Sequence, residues 1–275
     1  MIIDRKTNFV YFSSRLKDDF NDEFLRITAI LDRHKVGFGL LDATKDIWCR
    51  DYMPIQVNQD KFVRFVYDPD YLKDRNDLKS DPKEVCRANK IFNTIPSRIN
   101  LDGGNVVKSS DKVILTDRIF DENKGIPENQ IIKELENLFE AQIIIIPQIN
   151  SDLTGHSDGM VRFIDSDKLL INELKNEYKY YKDGLLRVIK KYNLDYLEVP
   201  WFKSEKDSAV GIYINFLEVG DLLLMPVFGV ERNRDDEAVK AIKESYPGKK
   251  IEVININNIG QGGGLLNCIS WNINN

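Results

Sequence analysis

The reading of the fold turns on the stretch from Asn105 to Gln148. It opens with NVVKSSDKVILTDRI (105–119), continues through PENQIIKELENLFE (127–140) and closes with QIIIIPQ (142–148). The first segment alternates apolar and polar residues on either side of a polar turn at Ser109–Asp111, which predicts two antiparallel strands. In the second, Ile131, Ile132, Leu135, Leu138 and Phe139 share one helical face, and Pro127 suits the first turn. The third is a short apolar run that predicts a buried strand. The unit therefore reads strand, turn, strand, helix, strand.

Working outward, the unit recurs. DGMVRFIDSDKLLINEL (158–174) predicts a hairpin turning at Asp165–Asp167, then the helical YKYYKDGLLRVIKKYN (178–193) and the strand YLEVP (196–200). GIYINFLEVGDLLLMPVFG (211–229) predicts a hairpin turning at Val219–Asp221. A helix over DDEAVKAIKESYP (235–247) follows, capped by Asp235 or Asp236, and then the strand KIEVININ (250–257). The three copies repeat at about 50–55 residues, a period typical of propellers and repeat arrays. Before Asn105 the pattern is less regular, but VGFGLLDA (36–43) and IQVNQDKFVRFVYD (55–68) fit two partial units. Five units would close a ring and leave no open sheet edge. The expected fold is α+β, a five-bladed ββαβ propeller forming one domain over residues 1–275. An ordinary α+β sheet with coincidental hairpins is the other reading that periodicity leaves open. A ring makes a further demand: polar residues and glycines at the inner strand ends should converge on one central site.

Composition narrows the classes. The 275 residues are 42% hydrophobic, enough for one large core or two smaller ones, and the formal net charge is −5. No cluster of Lys and Arg is dense enough for a nucleic-acid footprint. No apolar run approaches the roughly 18 residues of a membrane span, and the N-terminal MIIDRKTNFVYFSS lacks the apolar core of a signal peptide. Three cysteines without paired spacing argue against a disulfide framework or a CxxC zinc site and for a reducing cytoplasm. Only two histidines occur, His34 and His156.

Four segments break the alternating pattern: DIWCRDYMP (46–54), LDGGNVV (101–107), DLTGHSDGMVRF (152–163) and GQGGGLLNC (260–268). Cys268 follows the run Gly262–Gly264, where backbone can approach a ligand closely. It reads either as a nucleophile or, the commoner fate of cysteine, as a buried core residue. His156 and Asp158 lie on the same side of an extended segment, suited to proton transfer and cation binding; a loop or capping pair after Gly155 is the alternative. Asp51 and Asp102, each taken alone, read equally as turn residues, and Trp48 as a core aromatic. Cys49 and Cys86 read as structural. Together the set has a logic its members lack. Carboxylates grip the planar N–H fork of a guanidinium, a thiolate attacks its weakly electrophilic carbon, and a histidine moves the protons.

These segments resemble the agmatine deiminase and bacterial peptidyl-arginine deiminase group, within the guanidino-group-modifying (pentein) superfamily. The resemblance rests on Trp48-x-Arg50-Asp51-x-x-Pro54, Gly103-Gly104-Asn105, Gly155-His156-x-Asp158 with Arg162-Phe163, Tyr213-x-Asn215-Phe216 with Pro226-x-Phe228-Gly229, and Gly262-Gly263-Gly264 with Cys268. They occur in the family's order from about Asp46 to the end. The resemblance implies a five-bladed ββαβ ring, Cys268 as nucleophile, His156 as general acid and base, and Asp51 and Asp158 as the guanidinium clamp. Asp102 takes the place of the acid that supports the histidine. Trp48, Arg162, Asn215 and Gly263 are candidate substrate contacts. The implied reaction passes through a covalent amidino-thioether, releases ammonia and leaves a ureido product, with no cofactor and no metal; the alternatives are transfer of the amidino group to an amine, hydrolysis of a methylated arginine, and a ring that binds a guanidine without turnover. The implied partner is a small cationic guanidine or an arginine side chain, with no nucleic acid and no membrane; a homo-oligomer is compatible with it. Two positions depart from the family: Asp102 stands where many members have Glu, with a shorter reach, and Asn267 where many have His. The tail ISWNINN lacks the usual glutamines. These departures and the short chain leave room for a larger guanidine than agmatine.

Overall fold

The computed structural model describes residues 1–275. Its strands are β1 (Phe9–Ser13), β2 (Gly37–Leu41), β3 (Ile55–Gln56), β4 (Phe62–Val66), β5 (Thr94–Asn100), β6 (Val107–Lys108), β7 (Lys112–Thr116), β8 (Gln142–Ile146), β9 (Val161–Phe163), β10 (Lys168–Asn172), β11 (Asp195–Val199), β12 (Leu217–Val219), β13 (Leu222–Val227), β14 (Lys250–Asn255) and β15 (Ser270–Ile273). They form five separate three-stranded sheets, ordered β15-β1-β2, β3-β4-β5, β6-β7-β8, β9-β10-β11 and β12-β13-β14. In every sheet the middle strand pairs antiparallel on one side and parallel on the other.

A parallel pair cannot be joined by a tight turn, so each sheet needs a crossover. Five helices make those crossovers: α1 (Asn21–Arg33), α2 (Pro82–Ala88), α3 (Glu128–Phe139), α4 (Lys179–Lys191) and α5 (Asp235–Ser245). Each blade is thus a ββαβ unit, and the molecule is the five-bladed α+β propeller that the repeats predict.

In α3, Ile131, Leu135 and Phe139 recur every four residues and are fully buried. Pro127 stands one position earlier than expected, as the residue capping the helix rather than within its first turn. The expectation that Asp235 or Asp236 caps α5 is corrected: the cap position is Arg234, whose side chain makes no capping bond. Asp235 turns away from the helix. It accepts hydrogen bonds from the backbone N–H of Phe228 (3.2 Å) and Gly229 (2.9 Å) and from the Tyr213 hydroxyl (2.7 Å). That one carboxylate ties Tyr213 and Phe228-Gly229, two parts of the segments that carry the family resemblance, into a single corner.

The first blade explains the irregularity before Asn105. Its antiparallel edge strand, the buried β15, comes from the far end of the chain, with Phe9 opposite Ile273 and Phe12 opposite Ser270. Trp271 is buried there beside Tyr11 and Phe62 and donates its indole N–H to the carbonyl of Pro54 at 2.8 Å. No local repeat could reveal a blade built from both ends.

Candidate active site

Six buried polar side chains lie in the segments between blades: Asp51, Asp102, His156, Asp158, Asn215 and Asn267. Asp51 lies in a short helix, Cys49–Tyr52, that connects the first two blades. Asp102 directly precedes the turn Gly103–Asn105 and His156 directly precedes the turn Ser157–Gly159, both of 3-10 type. Cys268 sits just ahead of β15. Each residue therefore stands where a blade begins or ends.

Asp102 reaches His156 despite its short arm, and the imidazole Nε2–H donates to Asp102 Oδ2 at 2.9 Å. The other ring nitrogen, Nδ1, lies 3.7 Å from Asp51 Oδ1. Asp51 Oδ1 also accepts from the backbone N–H of Gly104 at 2.8 Å. Position 104 has no room for a side chain: a Cβ there would lie 2.5 Å from His156 Nδ1 and 2.7 Å from Asp51 Oδ1. Asn105 adds a tie between blades, since its Oδ1 accepts from the N–H groups of Thr116 (2.9 Å) and Ser157 (3.2 Å).

On the other side of the site, Cys268 Sγ is 3.8 Å from Asp158 Oδ2 and 3.5 Å from Asn215 Oδ1. Asp158 Oδ2 also accepts from Asn267 Nδ2 at 2.7 Å. Trp48 lies half-buried against the glycine run, where a Cβ at Gly264 would meet its ring at 2.4 Å. Gly263 turns the chain at φ +96, beside the carbonyl of Asp207.

The charges follow from this crowding. Burial pulls His156 towards its neutral form. The Asp51 charge, the bond to Asp102 and the Asp158 charge outweigh that pull and push the imidazole up to about 9. Burial raises Asp51, opposed by His156 and reinforced by the charges of Asp102 and Asp158. Desolvation of the sulfur, then the charges of Asp158 and Asp51, hold the Cys268 thiol well above its ordinary value. With no cation bound, the site presents an imidazolium and a thiol beside the side chains of Asp51, Asp102 and Asp158. No group of three or more His, Cys, Asp or Glu side chains is arranged to hold a metal ion.

A model of the family described as Porphyromonas-type peptidyl-arginine deiminase matches residues 25–273. The chain belongs to this family. Among curated relatives, a Legionella pneumophila (strain Paris) protein that carries the provisional name agmatine deiminase is 25% identical over 188 residues. That match takes in 62% of this chain and 53% of the relative, so the chain spans about half the length of the curated relative it matches. Two solved structures share the fold. A cysteine-to-serine variant of C. jejuni agmatine deiminase, titled as having substrate bound, superposes with a TM-score of 0.78 at 18% identity, covering 98% of this chain and 95% of the other. The agmatine deiminase of Enterococcus faecalis gives a TM-score of 0.73 at 15% identity, covering 98% and 93%.

In this family member the expected constellation forms two contact groups, Asp51–His156–Asp102 and Asp158–Cys268–Asn215, and the charges of Asp158 and Asp51 act from one group on the other. Arg162 is a correction. Expected as a substrate contact, its guanidinium is committed within the protein to Asn267 (3.0 Å), to Asp4 (3.0 Å) and to the face of Phe216 (4.7 Å). Cys49 and Cys86 are buried thiols pushed by burial up to about 12 and about 11. Sequence reasoning missed Tyr71. Its hydroxyl donates to the same Asp102 oxygen that His156 uses, at 2.8 Å, and its ring stands edge-on to the imidazole. The signal was an aromatic residue within the polar, irregular stretch YDPDYLKDRND (67–77).

Proposed function

We propose that this protein is a guanidine deiminase, acting on agmatine or a related guanidine, an arginine side chain included, as one catalytic domain of the cytoplasm. The observation that carries the reading is the placement of Cys268 Sγ 3.8 Å from Asp158 Oδ2, with His156 braced between Asp102 and Asp51. A guanidinium held between Asp51 and Asp158 offsets the two charges that help keep the thiol protonated, so that the thiol proton passes to solvent and the thiolate stands where the electrophile waits. Sulfur adds to the guanidine carbon. His156, already an imidazolium, gives its proton to the departing nitrogen, and ammonia leaves an amidino-thioether on Cys268. The now neutral His156 takes a proton from water, whose oxygen adds to the same carbon. The C–S bond breaks as the added oxygen gives its remaining proton to solvent, freeing a neutral ureido product and the thiolate.

The names of the Legionella, C. jejuni and E. faecalis relatives favour agmatine as the first substrate to try. Three unpaired cysteines suit a reducing compartment, and no helix is long and apolar enough to cross a membrane. The test is colorimetric detection of ureido product over agmatine, free arginine, methylated arginines and an arginine peptide. At least one should be converted, and Cys268→Ala should remove that activity while the thermal midpoint stays near wild type. An active Cys268→Ala enzyme would overturn the reading.

A further inference from the structure

We propose that Arg162 is a positioning residue that acts through Asn267 to fix the carboxylate of Asp158 for a guanidinium. The proposal rests on the reading of Asp158 as one arm of the substrate clamp.

A guanidinium only donates hydrogen bonds. Arg162 Nη1 is 3.0 Å from Asn267 Oδ1, so the amide oxygen must face Arg162 and the amide nitrogen must face the other way. On that other side Asn267 Nδ2 donates to Asp158 Oδ2 at 2.7 Å. The reversed amide would set an oxygen against the carboxylate and an N–H₂ against a cation, both repulsive. Arg162 thus selects the one amide orientation that gives Asp158 a donor. With Oδ2 held by Asn267 and facing sulfur, Oδ1 takes no bond from the protein and is left for an incoming N–H.

The arrangement is fixed at both ends. Arg162 is buried, donates its second nitrogen to Asp4 at 3.0 Å and lies on the Phe216 ring. Asp4 stays charged there: burial opposes ionisation, but Lys108, Arg162 and Arg50 together hold its carboxyl down at about 2. Behind Asn267 is a small cavity of about 30 Å³ whose lining includes Asp4, Arg50, Lys108 and Arg162. The backbone of Asn267 is held too, its N–H by Asn215 Oδ1 (3.1 Å) and its carbonyl by Arg50 Nε (3.1 Å). Since Cys268 is the next residue, the peptide that orients Asp158 also places the sulfur. A buried cation that never touches substrate can thereby set both the clamp and the nucleophile.

The test compares Arg162→Gln, the near-isosteric Asn267→Asp and their double variant by ureido kinetics. In parallel, calorimetry follows agmatine binding to each change in a Cys268→Ala background, which needs no turnover. Each single change should raise KM about tenfold or more, with a smaller loss in kcat, and weaken binding by a similar factor, as loss of a charge-assisted bond implies. The double variant should be no weaker than the worse single one, because both break the same chain. Arg162→Lys, which keeps the charge and a donor, should recover part of the loss. A merely structural arginine would lower the thermal midpoint and leave KM and affinity alone. That result, or additive losses in the double variant, overturns the proposal. If Arg162→Gln does not fold, Asn267→Asp decides alone, and wild-type affinity there overturns it. If the unmodified protein neither binds nor converts any guanidine, the reading of the site has failed, and this proposal with it.

Discussion

His156 is the side chain through which the site responds to pH. Its folded value, about 9, lies above the ordinary 6.5, so the folded state binds the proton more tightly than the unfolded chain does. The stability this brings is fully present below about pH 6.5 and is lost as pH rises through about 9. Urea unfolding should therefore show a fall on the order of a few kcal/mol between pH 6.5 and pH 9.5, and His156→Gln should flatten it. An unchanged slope in that variant would assign the proton elsewhere. Turnover should decline over the same alkaline range. Tyr71 belongs to this scale as well. Tyr71→Phe removes one of the two donors on Asp102 Oδ2, and kcat should fall by about tenfold with KM little changed. His156, Asp158 and Cys268 stood out in the sequence because rare or charged residue types lie near glycines, and Asp51 through the pattern Trp48-x-Arg50-Asp51. Tyr71 and the true place of Arg162 did not, because each depends on partners distant in the chain, Asp102 for one and Asn267 and Asp4 for the other.

At the level of elements, hydrophobic period read the three central blades well. The alternation in β6–β7 and β9–β10 and the four-residue spacing in α3 are local signals, and the structure keeps them. Cap chemistry read less well, since Asp235 was free to serve either its own helix or a neighbouring loop. The loop won, because it offers two backbone N–H groups and a hydroxyl where the helix offers only its own first turn. Asp235→Ala should accordingly cost about 1–3 kcal/mol in a denaturant titration, the penalty for leaving such donors unpaired, rather than the smaller sum of a surface acid at a helix start. A loss within about 0.3 kcal/mol would return Asp235 to the helix terminus.

The whole molecule is a ring whose closure lies at its ends. β15 completes the first blade by pairing with β1, and Trp271 bonds across to the loop that begins the second. Cys268 immediately precedes this closing strand, so the nucleophile's position depends on closure. A chain ending after Ile269 exposes the edge of β1 and should lose its cooperative thermal transition, whereas an ordinary frayed terminus would leave one. Closure is also why the first blade was hidden in the sequence: its strands are separated by more than two hundred residues, beyond any repeat period.

The claim beneath all of this is that sulfur at position 268 bonds to a guanidine carbon. The most direct measurement is rapid acid quench of the protein during turnover of agmatine or the preferred guanidine, followed by mass spectrometry of the peptide carrying Cys268. The account predicts a mass gain equal to the guanidine less one ammonia on that peptide alone, absent in Cys268→Ser. Ureido product formed by Cys268→Ser, or the adduct found on Cys49 or Cys86 instead, would contradict it.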